Sequence, residues 1–398
     1  MNRGTTSRLA LLATAVALLA FAGVTAQTTA ASTQASTVKV GIIYSKSGPL
    51  AAYGAMYEEG LRLGMKYLTH GTNTVNGHKI VFTFNDDAGV AANAVTSAKD
   101  LIGQGYKIIA GATSSTVGLA LAPIAAQNKV LFISGPAAAD GITGANRYTF
   151  RSGRQTYQDI LAAKEILGKG VGKKITVFAQ DYAFGQGNVA AVQAVLGSRG
   201  HSVNKVLVPL TATDFTPFAQ QAKAQNPDLL FVAWAGATGP AMWKALQQQG
   251  VLSSTTVTTG LAERSTWSAF PDGITFLSHY VSVAPDNKVN DWLVKTMRKR
   301  NQVPDIFTPD GFAAAQMIVH AVQKTGGDDV DKMISSLEGW QFVGPKGIER
   351  IRQQDHALIQ PMFAVKLVTQ ANGKQKPVLV KRFSPGNLMP PVASFPSG

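Results

Sequence analysis

The feature that most constrains the fold of this chain is a regular alternation of short β-branched runs with alanine-rich stretches of helical spacing. Val38–Tyr44 has the composition of a buried strand, and Ala51–Leu68 repeats apolar residues on one helical face. The alternation continues through strands at 79–84, 107–110 and 130–134 and helices at 92–103 and 115–127. This order predicts a parallel sheet covered by helices.

The alternation begins again near Lys174 and predicts a second unit of the same kind. We expect strands at 174–179, 203–208, 228–234, 256–259 and 274–283, helices at 187–198, 215–223 and 238–248, two further helices at 289–300 and 309–324, and closing strands at 361–368 and 377–383. The predicted fold class is therefore α/β, with two doubly wound lobes of the Rossmann type joined by a hinge.

The order of the elements also predicts how the chain is divided. We expect the first lobe to contain residues 38–157 and 283–357, the second lobe residues 158–282 and 358–385, and a loose, proline-rich tail at 386–398. A crossover between lobes is expected near Arg151–Tyr157. Ligands of open α/β sheets bind beyond the carboxyl ends of the strands. Two such sheets face to face would enclose a small ligand by hinge closure.

The N-terminus has the pattern of a secretory signal. Arg3 and Arg8 precede an apolar run from Leu9 to Val24, and Val24-Thr25-Ala26 provides an A-x-A-like cleavage site. The alternative is a membrane anchor, but these 16 residues fall short of the roughly 20 needed to span a bilayer. We expect a signal peptide at 1–26, a disordered leader at 27–37 and a periplasmic or other extracytoplasmic location.

Composition narrows the possible partners and chemistry. The chain has no cysteine, which excludes disulfides, a lipid-anchored cysteine and thiolate metal sites. Its net charge of +14 raises the question of nucleic acid. However, the basic residues are scattered and form no long stripe with aromatics, which favours a solvated surface. Attraction to anionic components of the cell envelope is the alternative, and no nucleic-acid partner is expected.

Two loops of small residues follow predicted strands. Thr113, Ser114 and Ser115 lie where a strand ends and a helix begins, so hydroxyls and free N–H groups suit an anion such as a carboxylate. Pro136, Ala137 and Ala138 follow the next strand and expose backbone groups with little side chain in the way. The alternatives are an ordinary helix N-cap and an ordinary loop.

Aromatic residues mark the strand ends of both halves. These are Tyr53, Tyr182, Phe184 and Trp234. Their positions favour the walls of a ligand cleft. The alternative is that they belong to the edge of each lobe's core.

Signatures of catalysis and of cofactors are weak or missing. The sequence has no Gly-x-Ser-x-Gly elbow, and its six histidines are not spaced as metal ligands. The sequence around Gly185, Gly187 and Ala190 resembles a dinucleotide fingerprint, but no acid follows the next strand. We therefore expect a binding protein and not an enzyme, with neither a cofactor nor a metal. A secreted hydrolase is the alternative, although Ser115 has no nearby histidine.

Several short motifs occur together in a specific order. They are Ser47-Gly48-Pro49-Leu50-Ala51-x-Tyr53-Gly54, Asp86-Asp87, Gly111-x-x-Ser114-Ser115, Ser134-x-x-Ala137-Ala138, Tyr148-x-Phe150-Arg151 and Asp181-Tyr182-Ala183-Phe184-Gly185-x-Gly187. From about Val38 to Phe383, the chain resembles the type I periplasmic binding proteins, specifically the branched-chain amino acid binding group of ABC importers. The resemblance implies the type I periplasmic binding protein fold.

The resemblance also implies roles for individual residues. Ser115 matches a carboxylate-binding serine flanked by Thr113 and Ser114, Tyr53 matches an aromatic ligand contact, and Pro136 and Ala137 match backbone contacts to the ligand. Phe184 replaces a frequent tyrosine, and Ala138 replaces a threonine that would bind an ammonium. The acidic partner of that ammonium should lie near Leu261, and Glu263 is two residues away.

These departures leave the ligand open. A buried ammonium needs an acid or several acceptors, so the implied ligand is an amino acid if Glu263 reaches it. Otherwise another small carboxylate such as an aromatic acid, an amide or a urea-like compound is implied. We expect a monomer that delivers its ligand to an ABC permease; the ligand-binding subunit of a sensor is the alternative.

Overall fold

The computed structural model describes residues 36–270 and 273–396. The predicted signal peptide and most of the predicted leader lie outside these residues. The first part of the chain contains β1 (Thr37–Tyr44), α1 (Ala51–Leu68), β2 (Thr74–Val75), β3 (His78–Asp86), α2 (Ala91–Gly103), β4 (Ile108–Gly111), α3 (Ser115–Asn128), β5 (Leu131–Ser134) and β6 (Thr149–Arg151). These strands form one sheet in the order β2-β3-β1-β4-β5-β6, which is parallel except for β2.

The middle of the chain builds the second sheet. Its elements are α4 (Thr156–Leu167), β7 (Lys174–Gln180), α5 (Ala183–Val195), β8 (Ser202–Val208), α6 (Thr216–Ala224), β9 (Leu229–Ala233), α7 (Gly239–Gln248), α8 (Val251–Ser254), β10 (Thr256–Gly260) and β11 (Thr275–Ser278). The strands from β7 to β11 are parallel. The two doubly wound lobes that the alternation predicts are therefore confirmed.

The last part of the chain contributes to both lobes. Its elements are α9 (Lys288–Arg298), α10 (Thr308–Thr325), α11 (Val330–Leu337), β12 (Gln341–Gly344), β13 (Gly347–Ile351), β14 (Leu358–Ile359), β15 (Met362–Thr369) and β16 (Gln375–Phe383). Helix α10 packs against α1, and a Cβ atom at Gly60 or Gly311 would overlap the backbone of the opposing helix. Strands β15 and β16 return to the second sheet as antiparallel edge strands.

Three connections join the lobes within the described part of the chain. They run from β6 to α4, from β11 to α9 and from β14 to β15. Strand β11 ends at Ser278, five residues before the predicted end at Val283, because the chain crosses there to the first lobe. The sequence patterns did not predict the small antiparallel sheet of β12, β13 and β14.

The predicted loose tail is wrong for residues 386–396. Leu388 is buried, and the buried Arg352 guanidinium donates to the carbonyls of Pro390 (2.7 Å) and Pro391 (3.0 Å). The N–H of Ala393 donates to Asp355 at 3.0 Å. Prolines cannot donate backbone hydrogen bonds, but their carbonyls accept them, and this holds the tail against the first lobe.

A buried cluster of charges lies where the lobes join. The ammonium of Lys346 lies 3.1 Å from Asp310 Oδ1 and 3.1 Å from Glu349 Oε2, and none of these side chains is exposed. Burial opposes the ionisation of Asp310, but Lys346 and His279 together lower the pKa of its carboxyl. Burial raises the pKa of Glu349 to about 7, against the opposing effect of Lys346. Lys346 therefore compensates two acids that have no access to water.

Removing this cation should destabilise the protein strongly. We expect Lys346→Met to lower the free energy of unfolding by about 3–5 kcal/mol, because two buried acids would lose their counter-charge. Lys332→Met is a matched control, since Lys332 also pairs with an acid three residues away, but on the surface. The control should lose less than about 1 kcal/mol. Guanidinium unfolding measures both, and equal losses would contradict a structural role for Lys346.

Candidate functional site

A cleft of about 690 Å³, counting its open mouth, lies where the carboxyl ends of the two sheets face each other. The first lobe lines it with residues that follow β1, β4 and β5: Leu50, Tyr53, Thr113, Ser115, Pro136 and Ala138. The second lobe lines it with residues that follow β7, β9 and β10: Tyr182, Phe184, Trp234, Ala235, Leu261 and Ala262. This is where open α/β sheets bind ligands.

Ser115 and Thr113 line this cleft, and their hydroxyls are available as hydrogen-bond donors. Ser115 Oγ accepts from the N–H groups of Ala138 (3.2 Å) and Ala139 (3.1 Å), which occupy both of its lone pairs. Thr113 Oγ1 accepts from the N–H of Ser45 at 3.1 Å. Among the described residues, neither hydroxyl proton has an acceptor. Both hydroxyls can therefore donate to a ligand oxygen.

One strongly cationic group also lines the cleft. Arg154 lies on the connection from β6 to α4, and its Nε donates to both carboxylate oxygens of Asp159 at 3.0 and 3.2 Å. Its Nη1 is buried and has no hydrogen-bond partner within residues 36–270 and 273–396. The side chain is 11% exposed. A donor in this state is rare in folded proteins and points to a ligand or an ordered water.

Aromatic rings form the apolar walls. Tyr53 contacts Phe307 with ring centroids 4.6 Å apart, and Tyr182 lies 6.0 Å from Phe184. Trp234 stacks on Phe178 at 5.7 Å and donates from its indole N–H to Thr238. Trp234 therefore both lines the cleft and borders the core of the second lobe. The two alternatives for this residue, a wall of the cleft and the edge of the core, both apply.

Glu263 lies beside the cleft and not in its lining. It is 4% exposed and borders a smaller pocket that it shares with Tyr53 and Trp234. Burial raises the pKa of its carboxyl, and the nearby Asp305 adds to this effect. The phenol of Tyr53 reaches from the first lobe to the second, where it lies beside Glu263 and accepts from the N–H of Gly236 at 3.3 Å.

Hydrogen bonds cross between the lobes at this end of the cleft. The N–H of Ala237 donates to the carbonyl of Pro49 at 3.2 Å, and the N–H of Arg264 donates to Asp305 Oδ2 at 2.7 Å. With the bond from Gly236 to Tyr53, three backbone donors of the second lobe have acceptors on the first. These contacts require closed lobes.

The structure places three of the eleven predicted residues, Ser114, Ala137 and Glu263, outside the lining of the cleft. Ser114 is the buried residue that precedes α3, and its carbonyl accepts from Gly118. Ala137 packs against α3, and its carbonyl accepts from Arg151 at 2.9 Å. With Glu263 behind Tyr53, the other eight predicted residues line one cleft.

Several residues of the lining were not predicted. They are Leu50, Arg154, Asp159, Asn188, His279, Ile306 and Phe307, among others. Arg154 lies within the predicted crossover at 151–157. Its position at the expected hinge is therefore the sequence feature that could have identified it as a lining residue. His279 and Phe307 depend on where the second connection runs, and no local pattern shows that.

The structure shows neither a metal-binding cluster nor a membrane span within its described ranges. No group of three histidine or acidic side chains is arranged to bind a metal there. No helix of these ranges is both long enough and apolar enough to cross a bilayer.

Comparison with known proteins agrees with this geometry. The sequence model of the periplasmic binding protein family matches residues 37–374. A Leu/Ile/Val-binding protein, BraC3 of Rhizobium johnstonii, is 24% identical over 82% of this chain and 88% of its own length.

Solved structures give the same result. A crystal structure of an ABC-type branched-chain amino acid transporter protein from Rhodopseudomonas palustris superposes with a TM-score of 0.74, at 34% identity, over 90% of this chain and 99% of that one. A solute-binding protein of an ABC transporter from the same species, in complex with 3,4-dihydroxybenzoic acid, superposes with a TM-score of 0.77, at 26% identity, over 90% and 99%.

The bond between Tyr53 and the second lobe predicts a shift in lobe closure. Tyr53→Phe keeps the ring but leaves the N–H of Gly236 without its acceptor, which costs about 1–3 kcal/mol when buried. We expect the ratio of open to closed molecules to rise about 5- to 150-fold. Small-angle X-ray scattering without ligand should show a larger radius of gyration. Tyr157→Phe is the control, since in the described part of the chain no hydrogen bond of the Tyr157 hydroxyl joins the lobes. Identical scattering by both variants would contradict the prediction.

Proposed function

This chain belongs to the periplasmic binding protein family and is an ABC-type solute-binding protein, and we propose that its solute is a small organic carboxylate captured between the lobes. One observation carries the proposal. The polar lining of the cleft offers donors, namely the hydroxyls of Thr113 and Ser115 and the guanidinium of Arg154. A carboxylate offers acceptors in the complementary pattern.

The start of α3 adds to this attraction. Ser115 is the first residue of this 14-residue helix, so the free N–H groups of the first turn lie beside the cleft. Helix N-termini carry partial positive charge and favour anions. Hydroxyl and backbone donors from the first lobe and the guanidinium of Arg154 on the first connection would therefore surround the anionic end of a ligand.

Capture requires closure of the lobes around the ligand. The hydrogen bonds from Ala237 to Pro49 and from Arg264 to Asp305 form in the closed arrangement. A ligand that contacts both lobes stabilises this arrangement and shifts the population toward it. We propose that the closed protein, outside the cytoplasm and as a monomer, delivers the solute to an ABC permease, and that no catalytic step takes place.

Two ligand classes fit the proposal at this level. A branched-chain amino acid is favoured by two similar proteins, the Leu/Ile/Val-binding protein BraC3 and the 34% identical branched-chain amino acid transporter structure. The aromatic walls of the cleft, and the dihydroxybenzoate-bound relative, favour an aromatic acid. Both classes carry a carboxylate.

A thermal-shift screen tests the proposal directly. The purified protein is unfolded in guanidinium and refolded to remove any copurified ligand, and it is then mixed with amino acids, aliphatic and aromatic acids, amides and sugars. A ligand at about 100 times its Kd adds about 2.7 kcal/mol of stability, so true ligands should raise the Tm by a few degrees. Stabilisation by uncharged sugars or amides, with none by carboxylates, would overturn the proposal.

Ser115→Ala should weaken binding of the acid found in this screen by about 10-fold or more, since a charge-assisted hydrogen bond is lost. The same change also leaves the N–H groups of Ala138 and Ala139 without an acceptor. Thr156→Val is the matched control, because the Thr156 hydroxyl bonds the same loop at the Ala138 carbonyl, at 3.0 Å, without lining the cleft. Titration calorimetry measures both affinities. Equal losses would mean that Ser115 supports the loop and does not contact the ligand.

A further inference from the structure

Arg154 lies at the hinge, and one of its guanidinium nitrogens is buried without a hydrogen-bond partner among the described residues. Its Nε is fixed by Asp159 on the first turn of α4, which orients the guanidinium. Its Nη1 is buried without a protein partner in the described ranges and lies on a residue that lines the cleft. An oriented guanidinium with a free buried donor is suited to a carboxylate, which it recognises by geometry as well as by charge.

The same cleft lacks an acid that is free to meet an ammonium. Among the described residues that line it, Asp159 is the acidic one, and both of its oxygens already accept from Arg154. An ammonium placed at Asp159 would also lie close to the Arg154 guanidinium, and like charges repel strongly at such short range. Glu263 lies behind Tyr53, in the neighbouring pocket.

Backbone acceptors near the start of α3 are also occupied. The carbonyl of Ala138 accepts from both the N–H and the hydroxyl of Thr156, at 2.9 and 3.0 Å. Arg151 donates to the carbonyls of Ala137 and Ala139, at 2.9 and 2.8 Å. The fold itself therefore uses the carbonyls of Ala137, Ala138 and Ala139, three of the acceptors that this loop would offer to a ligand's ammonium.

From these contacts we infer that Arg154 binds the carboxylate of the ligand and that the ligand is an apolar monocarboxylate without an ammonium group. The inference rests on the proposed function and narrows its ligand class. The rings of Tyr53, Phe307 and Trp234 would contact the apolar body of such an acid, which favours one that carries an aromatic ring. An ammonium buried in this cleft without an acceptor would cost several kcal/mol.

Ligand pairs that differ by one amino group test the ligand class. Titration calorimetry on the refolded protein compares 3-phenylpropanoate with phenylalanine and 4-methylpentanoate with leucine. We expect the acid of each pair to bind at least about 10-fold more tightly than its amino acid. Tighter binding of phenylalanine or leucine would overturn this inference and leave the solute-binding function standing. If neither series binds, the proposed carboxylate function fails as well.

The role of Arg154 has its own test. Arg154→Gln alone leaves Asp159 buried without its partner, so the double variant Arg154→Gln with Asp159→Asn removes the pair without stranding a charge. We expect the double variant to bind 3-phenylpropanoate about 10- to 100-fold more weakly. Its affinity for the neutral 3-phenylpropanamide should not fall. Arg147→Gln, which breaks an exposed arginine–aspartate pair on the first lobe, should bind as the wild type does.

Two results would overturn the role of Arg154. One is an unchanged affinity of the double variant for the acid, with a melting curve that shows a folded protein. The other is an equal loss for the acid and the amide, since this would show that the ion pair shapes the cleft and does not contact the charge. Arg154→Lys separates charge from geometry, because lysine keeps the charge but not the planar fork.

Discussion

The ion pairs of Lys346 fix the junction between the two lobes, and the cleft depends on that junction. Its ammonium meets Asp310 at the start of α10, Glu349 on β13 and, at 3.4 Å, the carbonyl of Ser152 on the first connection. Asp310 in turn lies 3.5 Å from His279 on the second connection. A charge without access to water requires its partners at fixed distances. The pair of Lys346 and Asp310 therefore holds two of the three connections, β6 to α4 and β11 to α9, at fixed positions relative to each other.

These fixed positions have a direct consequence for the cleft. Arg154 follows Ser152 by two residues, and His279 itself lines the cleft. Both are therefore positioned by the buried contacts of Ser152 with Lys346 and of His279 with Asp310, which lie outside the lining of the cleft. The ion pairs at the junction thus help to determine where the cationic donor of the site lies. A hinge built on such contacts can move the lobes as rigid bodies, while the residues at its base stay in place.

The sequence predicted the repeating part of the structure, because that part is governed by local periodicity. Ala51–Leu68 was predicted with both ends correct, since its apolar face repeats every three or four residues until the helix ends. Thr113 and Ser115 followed from the rule that binding loops lie at the carboxyl ends of strands. The packed tail, the small sheet and the position of Arg154 depend on contacts between distant segments. The carbonyls of Pro390 and Pro391 find Arg352 only after folding, and no local pattern shows this.

Glu263 illustrates the limit most clearly, because the sequence placed it within two residues of a position that should face the ligand. Leu261 lines the cleft, whereas Glu263, two residues further along the chain, lies in the neighbouring pocket beside Tyr53 and Asp305. The choice of ligand is then set by which hydrogen-bonding groups the fold leaves unused. Thr156 and Arg151 occupy the acceptors of the loop at 137–139, while the hydroxyl proton of Ser115 and one nitrogen of Arg154 find no partner among residues 36–270 and 273–396. The polarity of the cleft is therefore decided by residues behind its surface, which is why matching the residues on that surface to a family does not identify the ligand.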